Sequence, residues 1–385
     1  MRVRFNLSST VGKELQYIAE SLLGGQIAGD QAFTRRCQAL LEDVTGARRA
    51  LLTTSCTHAL EMAALLLDIQ EGDEVLVPSF TFVSTVNAFV LRQAVPRFVD
   101  IRRDTLNLDE TLLEAAITER TRAIVPVHYA GVGCALDPIL AIAGRHDIPV
   151  VEDNAHGLFG KYKGRPLGTW GALATLSFHE TKNITCGEGG AILINDERYL
   201  ERAEILREKG TNRAKYFRGQ IDKYTWVDIG SSYIVSDVLA AFLYGQLEQW
   251  ESIQARRRRI WDYYAAELAE WAHEQGVGLP VVPAECEQAY HMFYLLLPSL
   301  EHRQAMIEHL KDRGISAVFH YVPLHLSPMG RRFGGKPGDC PVTEEVSDRL
   351  LRLPFYNDLT LELQRHVVQA VRSYSTIGRV WSQAG

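Results

Sequence analysis

Short, unbroken apolar runs alternate with helical stretches through the first two thirds of the chain. Ala50-Leu51-Leu52-Thr53 reads as a strand, and Ala59 to Leu67 as a helix. Glu74-Val75-Leu76-Val77-Pro78 is the next strand, followed by a helix around Ser84 to Leu91 and a strand from Val95 to Val99. Ala123 to Val127 and Ile148 to Val151 have the same character. Continuous rather than alternating apolar runs predict strands covered by helices on both faces. Strand-helix alternation of this kind predicts a largely parallel sheet with right-handed crossovers.

After about Leu247 the pattern changes. A polar, helix-prone stretch runs from Gln246 to about Gln275 and breaks at Gly276-Val277-Gly278. A strand near Phe293 to Leu296, a helix from Arg303 to Arg313, a strand at Ala317 to Phe319 and a final helix from Leu361 to Tyr374 then predict a second, smaller α+β unit. The boundary is expected near residue 248.

Composition narrows the class. The chain has 385 residues, 46% of them hydrophobic and 23% charged, ordinary for a globular protein with a sizeable core. A net charge of −6 leaves no basic stripe for nucleic acid. Arg256 to Arg259 lie in a helical run, where a solvated face is expected. No apolar segment reaches the ~18 residues of a membrane span, and residues 1–6 lack the apolar core of a secretory signal. Six cysteines without a CxxC pair predict reduced thiols in a cytoplasmic protein rather than disulfides or a zinc site.

Three features carry candidate chemistry. Thr54-Ser55-Cys56-Thr57 ends a strand and opens a helix, where free N–H groups and the macrodipole favour an anion; a plain Ser/Thr cap is the commoner use of such residues. Asp153 stands at the carboxyl end of an apolar strand, costly unless paired, and a cationic ring nitrogen would pair it. Lys182 follows in a glycine-rich, charge-poor segment, Ser177-Phe178-His179-Glu180-Thr181-Lys182-Asn183 to Gly187-Glu188-Gly189-Gly190, where burial would lower its pKa and favour imine formation. Together these are the handles for pyridoxal 5′-phosphate (PLP): an amine, a carboxylate for the pyridine nitrogen and a phosphate cradle. Ser177 is placed to offer its hydroxyl to the phosphate. His156 either contacts the ring's phenolic oxygen or is an ordinary structural histidine. Phe82 could cover one ring face, although an aromatic there is more often core. His128 and Tyr129 also stand at a strand's carboxyl end, the edge where open α/β sheets bind ligands. His320 to His325 carries no metal-ligand set, because Pro323 breaks helical spacing and no Cys or acid completes it. No strand leads into GxGxxG, which disfavours a dinucleotide oxidoreductase.

These residues, with Glu152-Asp153, Ala155-His156, His320-Tyr321, Pro323-Leu324-His325, Cys340-Pro341 and Leu353-Pro354, resemble the DegT/DnrJ/EryC1/StrS sugar aminotransferases over almost the whole chain. Thr54 to Thr57, Glu208 to Arg213, Asp222 to Trp226 and Gly230 to Tyr233 resemble the members acting on dTDP-4-dehydro-6-deoxy-D-glucose. The resemblance implies a fold-type-I PLP architecture. Its large domain (1–248) would hold a mostly parallel seven-stranded sheet flanked by helices, and its N-terminal residues would pack on a smaller α+β domain (249–385). It implies a homodimer with shared active sites, in which Lys182 carries PLP as a Schiff base, Asp153 pairs with the pyridine nitrogen and Phe82 stacks on the ring. Cys56, Thr57 and Ser177 would hold the phosphate, Ser232 would reach in from the neighbouring subunit, and His156 would assist at the ring. Tyr129, Tyr321 and His325 are candidate substrate contacts; no metal is implied. The implied reaction moves nitrogen from L-glutamate to a nucleotide-linked keto sugar, giving a dTDP-4-amino-4,6-dideoxyhexose. The chain departs from many members at Cys56, where glycine is common, and at Ser232, where asparagine is. Lys182 argues against the family's dehydratases, which carry histidine there. A C3 or UDP-linked substrate, or a PLP-binding regulator without turnover, are the alternatives.

Overall fold

The structure, a computed structural model, describes residues 1–25 and 27–376; the last nine residues assigned to the smaller domain lie outside the described residues. Its main sheet uses β1 (Arg49–Thr53), β2 (Glu74–Pro78), β3 (Val95–Val99), β4 (Thr121–Ile124), β5 (Val151–Asp153), β6 (Leu173–Ser177) and β7 (Gly190–Ile194). Continuous ladders of hydrogen bonds gather these strands into a group of four and a group of three. Parallel bridges Ile124 to Val150 and Val127 to Asp153 join the two, so the order β1-β7-β6-β5-β4-β2-β3 makes the expected seven-stranded sheet. Only β7 runs antiparallel to its neighbours β1 and β6.

Both sheet faces are covered, which is why its strands read as unbroken apolar runs. On one face Leu51, Val75, Val77 and Ile192 pack with α3 (Cys56–Leu66) and α4 (Val83–Val90). On the other, Leu52, Leu176 and Leu193 meet α2 (Ala32–Thr45), while Leu76, Ile124 and Val150 meet α5 (Leu136–Arg145). The α1 helix (Glu14–Leu23) closes that side against Asp237–Leu247.

A separate core gathers Ile260, Leu268, Phe293, Leu310, Leu351 and Val371. Its antiparallel sheet places β10 (Leu350–Arg352) between β8 (Tyr294–Leu296) and β9 (Val318–Phe319). Val3 joins it through a parallel bridge to Ile315. The 26-residue helix Trp250–Gln275 serves both cores, Ile253 in the first and Ile260 in the second, and ends where Gly276 adopts φ 62°. The arginine run on this helix is not uniformly solvated. Arg257 turns inward, donating to the carbonyls of Tyr290 and His291 and to Asn357 Oδ1. No helix among the described residues is long and apolar enough to cross a membrane.

Candidate active site

The loops after β1, β2, β5 and β6 converge at one edge of the sheet and, with residues of the smaller unit, enclose a cavity of about 410 Å³. This is the carboxyl edge of the parallel strands, where an open α/β sheet presents its loops.

At one end of the cavity the chain leaves β1 and enters α3. Ser55 caps the helix by accepting from His58 N–H at 3.1 Å. The N–H groups of its first turn have no intrahelical acceptors, and they carry the positive end of the helix dipole. Cys56 and Thr57 line the cavity at that turn, beside Ser177 from the end of β6. Thr57 Oγ1 lies 2.8 Å from Ser84 Oγ, so two loops share a hydroxyl pair. A Cβ at Gly190 would stand 2.4 Å from the Cys56 nitrogen, so glycine lets β7 pass close under the helix start. Burial, reinforced by Asp153, pushes the Cys56 thiol up to about 12. It stays neutral and brings no competing anion into an anion site.

Adjacent acids on β5 serve opposite faces because a strand alternates its side chains. Glu152 faces inward, accepting from the N–H groups of Gly168, Trp170 and Gly171 at 2.7–2.8 Å and meeting His128 Nε2 at 2.9 Å. Asp153 faces the cavity. Its Oδ2 accepts from the Thr85 hydroxyl at 2.7 Å and its Oδ1 from Ala155 N–H at 3.1 Å. Thr85 is in turn held by Thr81 at 2.8 Å.

Lys182 follows a turn closed by its N–H to His179 O at 2.9 Å. Burial brings its amine down to about 8, against the opposing pull of Cys56 and Asp153. His156 stacks on His291 with ring centroids 4.2 Å apart and planes 14° apart. Burial, with the charge of Lys182, pushes His156 well below the usual histidine range, so the ring is neutral. Its Nδ1 is buried without a hydrogen-bond partner among the described residues.

Phe82 stands at the rim, 57% exposed, its ring 6.4 Å from Tyr321, which lines the cavity. Ser232 lies on the exposed surface of this chain, bridged to Glu208, and takes no part in the cavity wall. Two residues expected to touch substrate are placed elsewhere. Tyr129 is buried beneath the cavity with its hydroxyl 3.0 Å from His320 Nδ1. His325 is buried between Ser79 Oγ at 2.6 Å and Glu344 Oε1 at 3.0 Å. Both have their polar atoms engaged and no free face for a ligand; they support the wall instead.

Sequence reasoning passed over Ser84, Thr85, His291 and Arg352, all of which line the cavity. Arg352 left one signal: a cation inside the apolar run Leu350 to Pro354. Among the described residues no cluster of His, Cys, Asp and Glu is arranged to hold a metal ion.

A low-pKa amine, a carboxylate oriented by two hydrogen bonds and an anion-attracting helix start surround one cavity. The unpartnered His156 Nδ1 adds a polar atom aimed at no protein group. That set fits a cationic heteroaromatic aldehyde bearing a phosphate, the chemistry of PLP. The comparisons with known proteins agree. Residues 9–372 match the model of the DegT/DnrJ/EryC1/StrS aminotransferase family. The spore coat polysaccharide biosynthesis protein SpsC of Bacillus subtilis is 34% identical over 94% of each chain. An uncharacterized protein of Methanocaldococcus jannaschii is 37% identical over 88% of this chain and 89% of its own. Among solved structures, DesV of S. venezuelae superposes with a TM-score of 0.85 at 32% identity, covering 94% of this chain and 93% of its own. A Streptococcus pneumoniae protein assigned as a sugar aminotransferase, solved in its PLP form, gives 0.89 at 26% identity over 97% and 98%. The chain belongs to the DegT/DnrJ/EryC1/StrS aminotransferase family and is a PLP-dependent sugar aminotransferase of fold type I.

Proposed function

We propose that the protein transfers the amino group of L-glutamate to C4 of dTDP-4-dehydro-6-deoxy-D-glucose, releasing 2-oxoglutarate and a dTDP-4-amino-4,6-dideoxyhexose, and that it works as a homodimer. One observation carries the transamination chemistry: the Lys182 amine, lowered to about 8, shares a cavity with Asp153 and the α3 start. The sugar assignment draws on segments 208–213, 222–226 and 230–233. They fold into one ribbon in which Glu208 bridges Ser232 and Thr211 bridges Trp226. Trp226, 77% exposed, and Phe217, 70% exposed, present an aromatic surface for a nucleotide or a second subunit.

Bound PLP supplies an electron sink at the reacting carbon. Lys182 would hold the cofactor's aldehyde through its amine, and that amine, as general base and acid, would move the proton to and from the donor's α-carbon. Asp153, oriented by Thr85, holds the proton on the pyridine nitrogen. Cys56, Thr57 and Ser177 would hold the phosphate, and Ser232 of a second subunit would complete its cradle. Phe82, at the rim, would cover one face of the ring, and neutral His156 would donate to its phenolic oxygen. Lys182 also distinguishes this chemistry from dehydration.

The test incubates holoenzyme and L-glutamate with dTDP- and UDP-linked 4-keto and 3-keto sugars. Turnover with the dTDP-4-keto sugar, and an H3–H4 coupling in the product NMR spectrum that places the amine at C4, is the expected outcome. Preference for a 3-keto or UDP-linked sugar overturns the substrate assignment. Absence of any cofactor spectral change with amino acids overturns catalysis and favours a regulator.

A further inference from the structure

A second cavity, of about 630 Å³, shares a wall with the catalytic one. Trp250, Gln254, Arg258 and Trp261 line it from one face of helix Trp250–Gln275, where residues three and four apart are neighbours. The other walls are largely aromatic. Phe159 stacks on Trp250, with ring centroids 4.7 Å and planes 17° apart, and Tyr290 meets Trp261 edge-on at 6.3 Å. Two of these rings sit on left-handed backbone, Phe159 at φ 73° and Tyr290 at φ 52°. A bulky residue is strained in that region, and such strain gathers where a site needs a side chain in a fixed place. The indole N–H of Trp261 is buried with no acceptor among the described residues. At the rim, Lys161 pairs with Glu287 at 3.2 Å and Arg258 with Asp262 at 3.4 Å, and all four side chains reach solvent. Exposed pairs of this kind contribute little, so both cations are open to a stronger anion.

The partition between the cavities is residues 288–291. Gln288 and Tyr290 line the second cavity, and His291 lines the catalytic one. Arg257 fastens this partition to the long helix through the carbonyls of Tyr290 and His291. Asn183, the neighbour of Lys182, donates to Ala289 O at 2.6 Å and to Gln254 Oε1 at 3.3 Å, while its Oδ1 meets His291 Nδ1 at 3.0 Å. His291 in turn stacks on His156. Aromatic rings for stacking, the amides of Gln254 and Gln288 for a base edge, and cations at the rim together suit a nucleotide. A bare phosphate leaves the rings unused, and a plain arene leaves the amides and cations unused. We propose that the second cavity is an effector site for a nucleoside diphosphate, whose base lies among the rings and whose phosphates meet Lys161 and Arg258. Its occupancy acts on the catalytic cavity through residues 288–291 and Asn183.

This site is separate from any nucleotide contact made by the sugar substrate, and the test keeps the two apart. Calorimetry with dTDP, UDP and pyrophosphate is run on the pyridoxamine-phosphate form, with and without saturating dTDP-amino sugar, which fills the catalytic cavity of that form without reacting. Binding of a nucleoside diphosphate should persist with the amino sugar present. In the holoenzyme the same nucleotide should change the rate of cofactor bleaching by glutamate about fivefold or more. Arg258→Ala, at an exposed position, should weaken the binding about tenfold or more and shift the rate effect to match, while the rate without nucleotide stays at the wild-type value. Tyr290→Asn tolerates left-handed backbone but removes the ring, and should weaken binding of the nucleotide as well; Arg258→Ala carries the test if that variant does not fold. Nucleotide binding abolished by the amino sugar overturns the proposal, as does binding that both variants leave unchanged, binding that pyrophosphate matches, or binding with no change in the glutamate rate. Should a different sugar nucleotide prove to be the one that turns over, the substrate assignment fails while the second cavity is judged with that sugar as the blocking ligand.

Discussion

At the scale of single residues, the site is a set of charges made unusual by burial. The Lys182 amine reaches its neutral, nucleophilic form near pH 8 because the cavity penalises its charge. The rate at which cofactor-free protein captures PLP should therefore rise through a midpoint near pH 8; stopped-flow growth of the visible band from about pH 6 to 10 measures it. A midpoint above about 10 would falsify the burial argument. The same shift sets a stability trend. Folding lowers this pKa, so between about pH 8 and the ordinary value of 10.5 the unfolded chain binds the extra proton, and cofactor-free protein gains stability as pH rises across that window. Lys182→Arg keeps the fold and phosphate contacts but abolishes turnover; sustained product formation by that variant defeats the assignment. Thr85→Val removes a buried hydrogen bond to a carboxylate, worth ~1.5–3 kcal/mol, and should weaken PLP binding by about tenfold or more, read by fluorescence titration. Lys182 and Asp153 were legible in the sequence because chemistry at the carboxyl ends of apolar strands stands out against its surroundings. Thr85 and His291 were not, since a threonine in a helix and a histidine in a loop look the same whether or not a distant carboxylate or imidazole faces them.

At the scale of elements, the positions of helix starts matter more than their propensities. Two helices take their N-terminal caps from other parts of the chain. Asp237 accepts from Phe33 N–H, Thr34 N–H and the Thr34 hydroxyl at 2.8–3.1 Å, and Asp100 from Val342 N–H, Thr343 N–H and the Thr343 hydroxyl at 2.8 Å. Such caps join distant segments, which periodicity along the chain does not reveal. Strands β1 to β5 were readable because helices cover both of their faces, making each a solid apolar run; β6, also parallel, went unread because Thr175 and Ser177 interrupt its apolar run. Strand β7 went unread: it follows directly on a glycine-rich turn and runs antiparallel, so nothing sets it off as a unit. Its first residue is the tightest point. Gly190→Ala drives a methyl against the backbone of Ser55 and Cys56 at 2.4 Å. It should lower the melting temperature and, after correction for stability, the affinity for PLP phosphate. Unchanged melting and cofactor affinity would show that the α3 start yields freely.

At the scale of the whole molecule, the two units meet beside the cavity through a shared apolar cluster, in which Phe80, Ile101 and Tyr129 pack with Met292, Tyr294 and Leu350, and through polar contacts. Asp100 holds the helix Pro341–Arg349, and His325 links Ser79 to Glu344. Asp100→Ala strands two backbone N–H groups of that helix and should cost ~1–3 kcal/mol in urea unfolding. It should also raise the half-saturating substrate concentration, because Tyr321 and Arg352 line the cavity from the same unit. A variant matching wild type in both measurements would show that this link is redundant. We propose the division near residue 248 on the change of core there, although helix Trp250–Gln275 contributes its first turn to the larger one. The opening at Phe82 and the outward placement of Ser232 are what a shared site in a homodimer requires, and sedimentation of the holoenzyme tests that assembly.

The order of strands in the sheet bears on how the molecule comes into being. Strand β1 lies at an edge, and its only sheet partner among the described residues is β7, far later in the chain. While the protein is being made, the segment that leads into α3 must wait for most of the larger core to emerge before it can be pinned. Arg352 arrives later still. Assembly dominated by such distant pairings is slow, and it leaves apolar strands uncovered meanwhile. Vitamin capture is therefore a late event in biogenesis, and free PLP during refolding should raise the final yield without hastening the early collapse.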